Sequence, residues 1–153
     1  MAELMVSKIE NNRELTLALK IRRLVFIDEQ DVPEAEEIDR FDAVPAVVKD
    51  CIHVLAWLDS EPIATGRLLI DEPPSELAHI GRVAVLAEHR GTGVGRALMT
   101  ALHDEARSLG RPGTTLAAQL HAVPFYERLG YIARGEVFLD AGIDHRWMDL
   151  NFR

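Results

Sequence analysis

The run Arg90-Gly91-Thr92-Gly93-Val94-Gly95 carries the clearest chemistry in this chain. Its glycines let the backbone approach a ligand closely. The run stands between a β-prone stretch, His79 to Leu86, and a helix-prone one, Arg96 to Leu109. Such a strand–turn–helix passage leaves the N–H groups of the first helical turn without internal partners, aimed at whatever lies before them. The natural occupant is a phosphate-bearing ligand. A Walker loop is excluded, because no Lys follows these glycines. A dinucleotide fingerprint, G-x-G-x-x-G, counted from Gly91 would need a third glycine where Arg96 stands. What remains is R-x-x-G-x-G, through Arg90, Gly93 and Gly95, or a turn that is only structural.

Other chemistries are excluded more simply. His53, His79, His89, His103, His121 and His145 lack metal-ligand spacing, and the chain has neither CxxC nor HExxH. No metal site is therefore expected. No nucleophile elbow is present. Cys51, the single cysteine, stands in an apolar run where a buried thiol is inert. It cannot form an intrachain disulfide, which fits a reducing compartment, and the expected location is the cytoplasm.

The charge balance constrains the ligand further. A net charge of −8 argues against a nucleic-acid binder, which needs a basic face. It also means that an anionic ligand must be drawn in locally, by Arg82, Arg90, Arg96 and the helix N-terminus. The acidic excess favours a cationic substrate such as an amine. Glu3 and Glu10 interrupt the N-terminus, so no signal peptide is expected there. No run of about 18 apolar residues suggests a membrane span.

The elements that must position the turn follow from periodicity. With 48% hydrophobic and 27% charged residues, 153 residues read as one globular unit. Leu15, Leu19, Arg22, Arg23 and Phe26 repeat with helical spacing, giving a helix over 12–26. The acidic stretch 28–42 contains Pro33 and reads as a loop or a short helix over 34–40. A hairpin follows: a strand over 51–58, a turn at Asp59-Ser60-Glu61-Pro62, and a strand over 63–70. Asp71-Glu72-Pro73-Pro74 reads as a loop. The long helix carries Leu98, Ala101, Leu102, Ala106 and Leu109 as an apolar stripe that ends at Gly110. Then come a strand over 114–120, a helix over 123–129, and strands over 135–139 and 144–150 joined at 140–143. The order of elements predicts a mixed sheet flanked by helices.

These residues together strongly resemble the GCN5-related N-acetyltransferases, the GNAT superfamily. The likeness rests on the R-x-x-G-x-G turn after Arg82-Val83-Ala84-Val85, on the run from Thr115 to Gln119, and on Pro124-Phe125-Tyr126-Glu127-Arg128-Leu129-Gly130-Tyr131. It spans 5–151 and implies one N-acetyltransferase domain over 1–153. Arg23 to Gln30, Ile80 to Val85, Ala118-Gln119 and Gly142 to His145 further resemble the small bacterial ElaA/YjcF-like branch. The implied fold is α/β, of the mixed α+β kind: a mostly antiparallel twisted sheet of about seven strands, about four helices, and a splay at the acyl-CoA site.

The resemblance also implies roles. Val83, Ala84 and Val85 would flank the pantetheine arm of acetyl-CoA, with backbone bonds from Val83 and Val85. The N–H groups of Arg90, Gly91, Thr92, Gly93, Val94, Gly95 and Arg96 would hold its diphosphate, and Arg90 and Arg96 could add side-chain donors. Tyr126 matches the family's proton donor to the leaving thiolate. Glu29, in a substrate-binding segment, and His145, at the start of the last strand, are candidates for the base; His53 is a weaker third, and a water relay is a fourth route. The implied partner is an amine acceptor, a small molecule or a protein amine, with no nucleic acid or membrane. A homodimer through terminal strands is open. The rival readings are a non-catalytic acyl-CoA-binding module and a nucleotide-binding protein.

Overall fold

A computed structural model describes residues 3–44, 47–70 and 76–152. The loop expected at Asp71–Pro74 lies outside the described residues. Among the described residues, seven strands form one sheet in the order β1-β2-β3-β4-β5-β7-β6. The strands are β1 (Leu4–Lys8), β2 (Cys51–Leu58), β3 (Glu61–Leu69), β4 (Ala78–Val85), β5 (Gly113–Gln119), β6 (Ile132–Asp140) and β7 (Ile143–Asn151). Every neighbouring pair is antiparallel except β4 with β5. Strand β1 has no counterpart in the sequence reading; it is short and exposed at both ends, so it lacks an alternating apolar pattern.

Four α-helices among the described residues accompany the sheet: α1 (Asn12–Arg22), α2 (Glu34–Glu37), α3 (Val94–Ser108) and α4 (Val123–Arg128). The start of α1 is fixed by a reciprocal cap. Asn11 Oδ1 accepts from Glu14 N–H, and Glu14 Oε1 accepts from Glu10 N–H. The helix expected to end near Phe26 becomes a π-helix over Arg23–Glu29. This wider turn buries Val25 while Phe26 and Gln30 face the cleft described below. The short helix expected over 34–40 stops at Glu37.

Helix α3 lays Leu98, Met99, Leu102 and Ala106 on one face of the sheet, against Ala64, Ile80, Leu116 and Met148. It comes close: a Cβ on Gly66 would stand 3.0 Å from Leu102 Cδ1. Leu109, expected in the buried stripe, falls just past the helix and is exposed. On the other face Leu15, Ala18, Ile21 and Val25 pack on Leu55 and Ala84.

Both hairpin turns are tighter than the sequence suggested. Asp59 and Ser60 (φ 49° and 73°), and Ala141 and Gly142 (φ 50° and 76°), are each a pair in the left-handed region. Two-residue turns of this kind match the twist of the strands, so the ladders run right up to them.

Candidate active site

Strand β4 leaves β5 almost at once. The two pair only at Ala78↔Thr114 and His79↔Thr115. The divergence coincides with a bulge: Thr65 pairs with Ala84 but Arg67 pairs with Gly81, so Arg82 and Val83 both face Gly66. Arg82 sits there at φ 52°, a strained conformation for a non-glycine residue. Beyond the bulge, Leu86 N–H turns to Ile63 O on the β3 side. By strand alternation, the backbone groups of Val83 and Val85 face the gap.

The gap opens into a cleft of about 760 Å³. Val83, Ala84 and Val85 line one wall, and Arg90, Gly91, Gly93, Gly95 and Arg96 line one end. Helix α3 begins earlier than expected, with Gly93 as its cap at φ 88° and no capping side chain. Its first internal bond is Ala97 N–H to Gly93 O. Among the described residues, no carbonyl accepts from the N–H groups of Gly91, Gly93, Val94, Gly95 or Arg96. Those donors form an anion cradle at the cleft mouth. Gly91 also lies at positive φ, and a Cβ on Gly95 would press on Phe125 at 3.2 Å, so each glycine has its own reason. The cradle, the open strand edge and the narrow gap together fit an extended thioester coenzyme with a diphosphate.

Not every expected side chain reaches the cleft. Thr92 Oγ1 donates to His89 O at 2.6 Å, and Val94 packs in the core, so these residues offer only backbone. Arg96 lines the cleft, and its guanidinium makes no hydrogen bond or ion pair to a described residue. Arg90 is engaged: its Nε donates to Val85 O at 2.9 Å and its Nη2 meets Glu29 Oε1 at 2.9 Å. Arg82, expected to attract phosphate, points elsewhere, with Nε 3.2 Å from Glu37 Oε2 and Nη2 donating to Glu37 O.

That correction uncovers a charge network the sequence did not reveal. Arg22 is almost wholly buried and binds Glu37 Oε2 at 2.8 Å and Asp42 Oδ1 at 2.6 Å. Arg67 binds Asp39 at 2.6 Å and Asp42 at 3.4 Å. The acidic 34–42 segment is therefore largely neutralised from within, and it is fixed as a cleft wall. Burial works to raise the Asp39 carboxyl, yet the hydrogen bonds and charge of Arg67 bring it down to about 2. His53 belongs to this scaffold rather than to the cleft: its Nε2–H donates to Phe41 O at 2.9 Å, and burial lowers its pKa. Cys51 lies beside it, and burial pushes its thiol up to about 12.

Tyr126 and His145 both line the cleft. Tyr126 is held edge-on between Phe125 and Tyr131. Tyr131 is itself pinned, 2.7 Å from His103 Nε2 and 2.6 Å from Thr114 Oγ1. The Tyr126 hydroxyl makes no hydrogen bond to a described residue, and burial pushes its pKa up to about 12, so it stays a protonated donor. His145 Nδ1 is 2.7 Å from Ile143 O. A carbonyl only accepts, so Nδ1 carries a proton, and Nε2 is the nitrogen left to exchange a proton with a ligand. Glu29 is not in the cleft lining; it is half-exposed and paired with Arg90. Its neighbour Gln30 is in the lining, and Gln119 Nε2 donates to Gln30 Oε1 at 2.8 Å across the cleft. Gln30, Phe138 and Trp147 were not assigned from sequence. The i, i+2 spacing of His145 and Trp147 on one strand face was the available signal.

The family model described as an acetyltransferase (GNAT) domain matches residues 34–152. The uncharacterised N-acetyltransferase YjcF of Bacillus subtilis is 37% identical over 140 residues, covering 91% of this chain and 94% of the relative. Protein ElaA of Escherichia coli is 34% identical over 133 residues, covering 86% of this chain and 84% of ElaA. Its crystal structure superposes with a TM-score of 0.81 at 31% identity, covering 97% and 99% of the two chains. An acyl-CoA N-acyltransferase from Pseudomonas aeruginosa gives a TM-score of 0.80 at 32% identity, covering 96% and 99%.

Proposed function

Because the chain belongs to the GNAT acetyltransferase family, we propose that it transfers an acetyl group from acetyl-CoA to a primary amine in a ternary complex. The sequence likeness to GNAT proteins and to ElaA and YjcF is thereby borne out. One observation carries the reading: the unpaired N–H donors of the glycine turn open into the same cleft as the Tyr126 hydroxyl and His145. The coenzyme, when bound, would supply an acyl thioester activated towards an amine.

The chain's own residues would do the rest. The N–H groups from Gly91 to Arg96, with the Arg96 guanidinium, hold the diphosphate. Arg90 joins them only by leaving Glu29. Val83 presents its backbone groups to the pantetheine arm and Val85 its N–H, the Val85 carbonyl being held by Arg90 Nε. His145 Nε2 takes the proton from the incoming ammonium, which frees the nitrogen lone pair to form the C–N bond. As the C–S bond breaks, Tyr126 Oη gives its proton to the leaving sulfur, and the second proton shed by the newly acylated nitrogen restores the phenol. Glu29 is not assigned the base role, because its carboxylate is held by Arg90 outside the cleft lining.

The test is direct. Calorimetry should register acetyl-CoA binding, and a free-thiol assay across an amine panel should register turnover. Binding without turnover of any amine would favour a non-catalytic acyl-CoA module. Tight NAD or ATP binding with no CoA binding would end the reading.

A further inference from the structure

The acceptor side of the cleft has a chemistry of its own. On the face covered by α1, no helix lies over β5, β7 and β6 among the described residues. Cross-strand register puts a row of rings there. Trp147 stands opposite Ala117 and Arg134, while His145 stands opposite Gln119 and Phe138. The centroids of His79 and Trp147 are 5.5 Å apart. Trp147 and Phe138 stack at 5.7 Å and 23°, and Phe138 and His145 stack at 5.9 Å and 27°. All four rings line the cleft, and the row ends at the proposed base.

The charges around this row are unequal. Arg67 and Arg82 line the same region but are spent on Asp39, Asp42 and Glu37. Two lining carboxylates, Glu36 on α2 and Asp140 at the end of β6, make no ion pair to a described residue. Asp140 pairs in register with Ile143, whose carbonyl orients the His145 ring. Arg134 also stands by the row, its guanidinium 5.5 Å from the Trp147 ring centroid, but it is held by Asp149, and the unpaired Arg96 belongs to the glycine turn; the charges left to the acceptor are thus negative. A cation carried on a ring fits such a surface; a carboxylate or phosphate does not.

We propose that the acceptor is an arylalkylamine-type primary amine without an anionic group, its ring stacked on the Trp147–Phe138 row and its ammonium drawn to His145 by Asp140 and Glu36. This rests on the N-acetyltransferase reading above. The chemistry is the same proton transfer and C–N bond formation; only the body of the acceptor is now specified.

The experiment compares phenethylamine, hexylamine and phenylalanine as acceptors with acetyl-CoA, following free thiol, and measures acetyl-CoA affinity separately by calorimetry. Phenethylamine should exceed both others in kcat/KM by about tenfold or more, from stacking and the absence of a repelled carboxylate. Trp147→Ala and Trp147→Leu should each lower kcat/KM for phenethylamine by about tenfold, with acetyl-CoA affinity unchanged. Asp140→Asn should raise KM for phenethylamine more at low salt than at high salt. Equal or better use of hexylamine or phenylalanine overturns the proposal. So does an unchanged kcat/KM in both Trp147 variants. A protein that binds acetyl-CoA yet acetylates none of the three also overturns it, leaving the coenzyme site standing. Loss of acetyl-CoA binding itself would instead remove the reading beneath it.

Discussion

Tyr126 and Glu29 illustrate how a side chain's partners separate roles that residue type alone cannot. Both are proton carriers by chemistry. The Tyr126 hydroxyl has no hydrogen-bond partner among the described residues and faces the cleft, whereas Glu29 is occupied by Arg90. Tyr126→Phe should therefore lower kcat by about 10²- to 10⁴-fold, the usual span for a lost general acid. Coenzyme affinity and melting temperature should hold, because no hydrogen bond is removed. An unchanged kcat would remove Tyr126 from the mechanism. Glu29→Gln frees Arg90 from an exposed ion pair worth at most about 1 kcal/mol. Coenzyme affinity should rise up to about fivefold with kcat within twofold, measured by calorimetry and thiol release. A fall in kcat of about a hundredfold would make Glu29 the base after all.

At the scale of elements, the glycine turn and the buried networks have separable jobs. Gly93 caps α3 at φ 88°, where a side chain costs about 1–2 kcal/mol. Gly93→Val should raise the coenzyme Kd at least about tenfold while far-ultraviolet circular dichroism stays native. Retained affinity would mean that the turn is only structural. The Arg22–Glu37–Asp42 network fixes the 34–42 wall. Arg22→Met would take the closest cation from two buried carboxylates, leaving Glu37 to Arg82 and Asp42 to Arg67, and should cost about 3 kcal/mol by urea denaturation. A loss below about 1 kcal/mol would show that Arg82 and Arg67 suffice to hold them.

For the molecule as a whole, the groups held in unusual protonation states set the response to acid. Burial lowers His103 from its ordinary 6.5 to about 4, so it is neutral in the fold. The unfolded chain binds that proton first. The stability contributed by neutral His103 is complete above pH 6.5 and is lost as pH falls through about 4. Asp39, lowered from 3.8 to about 2, adds a second loss between those values. Melting temperature should decline below pH 6.5 and again below 3.8. His103→Gln, which keeps a hydrogen-bonding amide beside the Tyr131 hydroxyl, should flatten the upper part of that decline in a thermal-melt series. An unaltered slope would assign it to His53, which burial shifts in the same direction.

By itself the sequence determined the order of elements from α1 onward, the glycine turn, and the short motif that carries Tyr126. These are local: a 3.6-residue repeat, a glycine needed at positive φ, and a short motif need no distant partner to be read. Only the tertiary structure decided where β4 parts from β5, that Arg82 and Arg90 are drawn to carboxylates, and that Glu29 is outside the cleft lining while Phe138 and Trp147 are in it. Those outcomes turn on pairings such as Arg82–Glu37 and Arg22–Asp42, made across 45 and 20 residues. An ion pair or a ring stack is chosen by distance after folding, and neither leaves a periodic trace along the chain.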